Sequence, residues 1–490
     1  MISKLKIWGV LLTLTATASC YKDKGNYDYN AINEPREWGL EATYTTEFGK
    51  ALTIKPAVKW TMATPADTTR YSYEWQALYM GAGLPAEVRA DLGFKQNLEL
   101  VQVTIKPGNW QVYYRILDKT TGVKWQKQFV LTVTSPIYEG WLLLNEVGGK
   151  SRLDMISKMG AEWRVIPDVL KTVGSKYPDA LNGKPNFVRT WNYEPSTYGI
   201  HISTDKGTTR IHPETFDWDN TYRIQYEFIS PISENFSAYF LGGISNIAYV
   251  LGNDNHVYYY ERPQNIRYSV PVNMMVTEGA TKPVKISNWV AFNEHPIFPA
   301  LCMFDTEKRR FIRNNGREAG SIVMPSGSLF NFNNTGLDLV WMGYSQYNSG
   351  NVFAIMKKPD EAQYKLARFT FAGSINQVYY DDFTPTDVAQ ATNYCVSPNL
   401  GYVFYNVSGK LYSYDFNLKA SKLMLDLGSR QISLLQFYGN DLLVFSYDPA
   451  EPTTSGHMDS YTVAPVQGDL VRTQHFEGVG KVVSAAYRRR

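Results

Sequence analysis

Between residue 140 and the C-terminus one unit recurs: an apolar strand, a turn, and another apolar strand. Seven such turns stand out, at Gly148-Gly149, Asp205-Lys206-Gly207, Asn253-Asp254-Asn255, Asp305-Thr306-Glu307, Pro359-Asp360-Glu361, Ser408-Gly409 and the looser Asp448–Gly456. Their spacing averages about 51 residues, close to the roughly 40–50 of a propeller blade. The strands beside them, such as Ile200-His201-Ile202, Val257–Tyr260, Tyr402–Tyr405 and Leu442–Phe445, are short and aromatic. The series predicts an all-β ring over residues 137–490, a β-propeller of about seven four-stranded blades. Six or eight blades, or two or three separate sandwiches, are the competing arrangements. A ring must protect its edges. Lys481–Tyr487 is an apolar strand without a hairpin partner, and it is expected to pair with the unit beginning at Trp141.

Upstream, residues 36–136 alternate with a period of two: Leu52 and Ile54, then Tyr71, Tyr73 and Trp75, then Val112, Tyr114 and Ile116, then Phe129, Leu131 and Val133. Short alternating segments parted by turn residues predict an Ig-like antiparallel β-sandwich, with Trp75 as its core aromatic. Pro85–Asp91 reads as a helical turn. Aromatic residues make up 14% of the chain and charged residues only 19%, against a typical charged share of about 25%. That balance excludes a disordered chain and a coiled coil.

The first residues carry a leader. Lys4 and Lys6 precede an apolar run, Ile7–Leu14, too short to span a bilayer. Small residues, Ala16 to Ser19, lead directly to Cys20. Residues 1–19 therefore resemble a bacterial lipoprotein signal peptide, with Cys20 the lipidated residue and new N-terminus. Several acyl chains on one residue give stable anchoring where a single chain does not. Residues 20–35 are polar and turn-forming, a tether off the membrane. Losing Lys4 and Lys6 with the leader takes the formal charge from +3 to +1, which leaves no basic excess for nucleic acid. Of the three cysteines, Cys302 and Cys395 sit in apolar runs, as buried thiols or as a pair.

Tyr71-Ser-Tyr-Glu-Trp75, Gly108–Asp118 and Thr132-Val-Thr134 resemble the PKD-like domain of Bacteroidetes surface lipoproteins. The opening Cys20–Tyr29 and the junction Tyr138–Leu144 are similar to the same family. The resemblance implies an outer-membrane, cell-surface lipoprotein. It also implies an accessory role beside a SusC/SusD-like nutrient importer or neighbouring surface lipoproteins.

Catalytic signatures are few. No His-Glu-x-x-His, Cys-x-x-Cys or Gly-x-Ser-x-Gly occurs, so no metal site or cofactor is expected. His201 and His212 are placed to face each other across one hairpin. Gly148-Gly-Lys-Ser151 ends like a phosphate loop, but Leu144 holds the position of its first glycine. The acidic pairs Asp217/Asp219 and Asp381/Asp382 are the carboxylates a glycosidase would use, and loop solvation is their plainer role. Aromatic residues beside amides are the remaining signal. Trp191, Trp289, Trp341 and Tyr347 are the candidate ligand contacts, since flat rings with nearby polar groups bind sugars or peptide side chains. The expected function is thus non-catalytic capture of a glycan or peptide. The alternative is a surface propeller enzyme, a glycoside hydrolase or lyase.

Overall fold

The computed structural model describes residues 32–62, 68–81, 88–194, 197–261, 266–277, 279–295, 299–316, 320–371 and 373–489. The leader, Cys20 and most of the tether lie outside the described residues. No described helix is long and apolar enough to cross a membrane.

The first unit is a sandwich. Its larger sheet runs in the order Thr43–Glu47, Lys124–Thr134, Gly108–Asp118, Tyr71–Tyr79, Arg89–Gly93. All of its pairings are antiparallel except that of Thr43–Glu47 with Lys124–Thr134, which is parallel. The alternating apolar residues point to one face, where Leu52–Ile54 and Leu98–Leu100 cover them as a two-stranded ladder. Trp75 is fully buried there, 4.2 Å from the Tyr114 ring, and its indole N–H donates to Lys95 O at 2.8 Å. Arg89–Asp91 is not helical: it pairs with Gln76–Leu78 as an edge strand, because Arg89-Ala-Asp-Leu alternates with the pleat. Pro85 to Glu87 lie outside the described residues.

Seven sheets of three or four strands follow. Blade 1 combines Glu139–Val147, Lys150–Met159 and Glu162–Ile166 with the C-terminal strand Lys481–Arg488 as its innermost member. The innermost strands of blades 2 to 7 are Pro185–Glu194, Ala238–Ile244, Ala291–Phe292, Asp338–Ser345, Tyr394–Val396 and Gln431–Tyr438. Each of the seven turns marked in the sequence joins the second and third strands of one blade, counted from its innermost. At Gly148 and Gly149 both φ angles are positive, 57° and 75°, between the paired Val147 and Lys150. That is the two-residue turn for which glycine is suited. Among the described residues, blades 2 and 3 have three strands and not the expected four. In blade 2 the outer position is taken by the 3-10 turns Asn220–Tyr222 and Ile224–Glu227, joined to the sheet by the Thr209–Arg223 bridge and by the Arg210–Glu227 ion pair at 2.7 Å.

Both faces of every blade are buried, which explains the near-continuous apolar strands. Val352 and Ala354 pack toward blade 4 while Phe353 and Ile355 pack toward blade 6. Phe404 with Leu442 and Val444 fills the space between blades 6 and 7. Leu443 and Phe445 with Trp141 and Ile156 fill the space between blades 7 and 1. The series of cores therefore comes full circle. Lys481–Arg488 closes it in sequence as well, pairing Gly140 with Arg488 and Trp141 with Tyr487. Ser484 Oγ accepts from Val188 N of blade 2 at 3.1 Å, and Lys481 meets Glu146 at 2.8 Å. Buried Arg488 lies 5.2 Å from the Phe216 ring centre.

Cys302 and Cys395 are both free and buried, one between blades 4 and 5, the other between blades 6 and 7. Burial pushes both thiols far above their ordinary pKa. They are small core hydrophobes, not reactive groups.

Candidate functional site

A groove of about 500 Å³ opens between blades 7 and 1. Its walls are the ends of strands that finish or begin at one end of the ring: Glu139 and Trp141, Lys158, Trp163, Tyr438, Asp441, Tyr487 and Arg489. Glu139 follows the sandwich's last strand after only the linking residues 135–138, so the groove opens where the two domains join.

The rings at its base support one another. Trp141 meets Tyr438 edge-on at 4.9 Å and Tyr487 at 5.0 Å, and the two tyrosines are 5.0 Å apart. Trp141 is buried, whereas Tyr438, Tyr487 and Trp163 keep partly exposed surfaces. Trp163 leans on Phe476 at 5.4 Å, with the Lys158 ammonium 5.9 Å from its ring centre. Polar groups frame the rings. Lys158 pairs with Glu139 at 3.0 Å, the Tyr487 hydroxyl donates to the same carboxylate, and Arg489 Nη2 donates to the Tyr438 hydroxyl at 3.1 Å. Burial, and then the Glu139 carboxylate that holds its proton, push Tyr487 well above the ordinary phenol range. Two acids, Glu139 and Asp441, balance two bases, Lys158 and Arg489, so the groove carries no net charge. Ser460, Thr473 and Gln474 complete the wall with small hydroxyl and amide groups.

A second charged arrangement lies at the inner strands. Desolvation among the inner strands raises Glu294, which still keeps an exposed surface, and lowers part-buried Arg189, and each feels the other's charge from blades 4 and 2. Tyr344 of blade 5 is raised by burial and by Glu294. Arg189 Nη1 also donates to Ser484 Oγ at 3.1 Å, tying the pair to the closing strand.

The four aromatic candidates do not meet in one site. Trp191 is 3% exposed in the core between blades 2 and 3, its indole N–H donating to Ser245 O at 2.8 Å. Trp341 is 7% exposed between blades 5 and 6. Their rings fill space between blades and offer no open stacking face. Tyr347, in the first turn of blade 5, backs the Arg368 guanidinium at 5.2 Å and packs toward Phe416. Trp289, on the segment entering blade 4, is 45% exposed. His201 and His212 do not face each other: His201 is opposite Arg210, and His212 lies beyond the strand, where its Nδ1 accepts from the Glu214 and Thr215 amides. Asp217 accepts from the Lys176 and Trp218 backbone amides, tying its loop to the segment at Lys176, and Asp219 accepts from Thr221 within its own loop. Asp381 and Asp382 are bound by Lys419 and Lys365 on the rim of blade 5.

Residues 20–185 match the model of the PKD-like family. The match runs through the sandwich and blade 1 to the first residue of blade 2. Among curated proteins, none matches. Of the solved structures, a quinonprotein alcohol dehydrogenase-like protein from Bacteroides thetaiotaomicron is 11% identical, with 94% of this chain and 100% of that one covered and a TM-score of 0.42. The β-propeller domain of Cps50 (Swd1) from Myceliophteria thermophila is 10% identical, covering 64% of this chain and 93% of that one at a TM-score of 0.38. The extracellular domain of a putative one component system from B. thetaiotaomicron is 12% identical at a TM-score of 0.35. It covers 61% of this chain and 36% of its own. Residues 20–185, the sandwich with the first three strands of blade 1, are thus similar to the PKD-like family, and a β-propeller follows them.

Proposed function

We propose that this protein is a non-catalytic surface lipoprotein that captures a glycan in the groove between blades 7 and 1. The observation that carries the reading is the charge-neutral, aromatic groove beside the sandwich junction. Neutral balance suits an uncharged sugar, whose faces stack on rings while its hydroxyls meet carboxylates, amides and hydroxyls. Cys20 would anchor the chain to the outer membrane, and the tether and sandwich would hold the ring at the cell surface. A SusC/SusD-like importer is the partner that such capture would serve.

Each stacked ring contributes about 0.5–1.5 kcal/mol beyond area burial. Two or three rings therefore give binding in the high micromolar to millimolar range. Titrating the protein with panels of neutral oligosaccharides and peptides, followed by calorimetry, tests the reading. Trp163→Ala and Asp441→Asn should weaken the best glycan about fivefold or more, with the melting temperature little changed. Glycan binding that neither substitution alters would move the site elsewhere, and selective peptide binding would replace the ligand class.

A further inference from the structure

The outer hairpin of blade 7 carries a pattern on its other face. On Gly456–Thr462 the sequence reads His457-Met458-Asp459, and on Val471–Val479 it reads His475-Phe476-Glu477. Alternation puts the outer residues of each triplet on one side of the sheet. Met458 and Phe476 point the opposite way, into the core against blade 1. The register pairs Asp459 with His475 and His457 with Glu477, so four metal-type ligands occupy the corners of one patch.

Asp459 Oδ1 lies 2.7 Å from His475 Nδ1, and Arg472 approaches the same oxygen at 3.4 Å. Glu477 Oε2 lies 3.7 Å from His475 Nε2 and 3.9 Å from His457 Nε2. The imidazoles are 5.0 Å apart at 85°, and ligand-type atoms of His457, Asp459 and His475 all fall within 4.8 Å of one another.

We propose that this patch binds a divalent transition-metal ion of the zinc class, through His457 Nε2, His475 Nε2 and Glu477 Oε2, with Asp459 orienting His475. The Asp459 side chain is only 8% exposed and, as a carboxylate, can only accept. It therefore fixes the proton of His475 on Nδ1 and turns the Nε2 lone pair toward Glu477. A lone pair facing a carboxylate at 3.7 Å is repulsive unless a cation sits between them. The carboxylate–histidine–metal arrangement supplies that cation and is a recurring support of such sites. With metal–ligand bonds of about 2.0–2.1 Å, neighbouring tetrahedral ligand atoms are roughly 3.3–3.5 Å apart. Glu477, 73% exposed and 3.7–3.9 Å from both Nε2 atoms, is free to swing inward onto an ion between them. Two imidazoles with one carboxylate is a borderline donor set, suited to zinc, cobalt or nickel and not to calcium or magnesium.

The competing occupant is a proton, giving a His475 imidazolium held between Asp459 and Glu477. Cobalt(II) distinguishes the two. The full chain, purified without a histidine tag, is titrated with cobalt(II) at neutral pH, with visible absorption and calorimetry as readouts. One equivalent should bind with a ligand-field band. Asp459→Asn should weaken binding about 10- to 100-fold, and His457→Ala or His475→Ala by at least as much. His256→Ala, beside Asp254 on another blade, should leave binding unchanged, and near-ultraviolet circular dichroism confirms that each variant is folded. The absence of a one-equivalent band in the wild type overturns the proposal, as does undiminished binding in the folded His457→Ala/His475→Ala double variant.

Discussion

Asp118 ends the long strand Gly108–Asp118 and organises the hairpin after it. Arg70 clasps its carboxylate through two nitrogens, one of them Nε at 2.9 Å, and the Thr120 amide donates to it at 2.9 Å. The Arg70 hydrogen bonds hold the carboxyl well below the usual range, overcoming the burial that pushes it up. A depressed carboxyl stabilises the fold above its unfolded value of about 3.9, and the contribution fades as pH falls below that value. Asp118→Asn should therefore cost about 1–3 kcal/mol at pH 7. Calorimetry at pH 7 and pH 3 should find the gap between variant and wild type narrowing in acid. At this scale the aromatic residues were the hardest to read. Trp191 and Trp341 stand beside polar neighbours, as contact residues do, yet blades bury both faces, so alternation cannot tell a wedge from a platform. The groove residues gave no local signal either, because ring closure brings Glu139 to Trp163 together with Tyr438 to Arg489. The His-x-Asp and His-x-Glu triplets were visible, but only the register of their hairpin makes them one patch.

Elements were far more legible. The seven turns marked in the sequence each join the second and third strands of a blade, counted from its innermost, because most of them are tight and their strands are the most apolar of the sheet. Outer strands are exposed on one side and irregular, as in blades 2 and 3, and carry weaker patterns. The pairing of Lys481–Arg488 with Glu139–Val147 was likewise readable, since an apolar strand without a hairpin partner requires a distant one. Ending the chain at Gly478 removes that strand with its buried Val482, Ala485 and Arg488. The inner edge of Glu139–Val147 and the apolar face of blade 7 at Leu443, Phe445 and Met458 are then left bare. The truncated protein should aggregate or melt roughly 10 °C or more below the full chain, as measured by scanning calorimetry with size-exclusion chromatography. A truncated protein that melts with the full-length one would remove closure from the account of its stability.

For the whole molecule, the sandwich precedes the ring in sequence, and the proposed lipid anchor at Cys20 lies ahead of both. Cys20→Ala should shift the protein from the membrane pellet to the soluble fraction and abolish palmitate labelling; unchanged retention would set lipid anchoring aside. Closure has a further consequence in time. The sandwich draws all its strands from residues 35–134 and is complete before any blade is made. Three strands of blade 1 come next, but their fourth is the last strand of the chain. During synthesis the ring therefore stays open, with the first blade waiting on a partner more than three hundred residues away. Any chain that stops early keeps that edge bare. Completion of that strand thus decides whether the ring closes: only a chain that continues through Arg488 gives blade 1 its innermost strand.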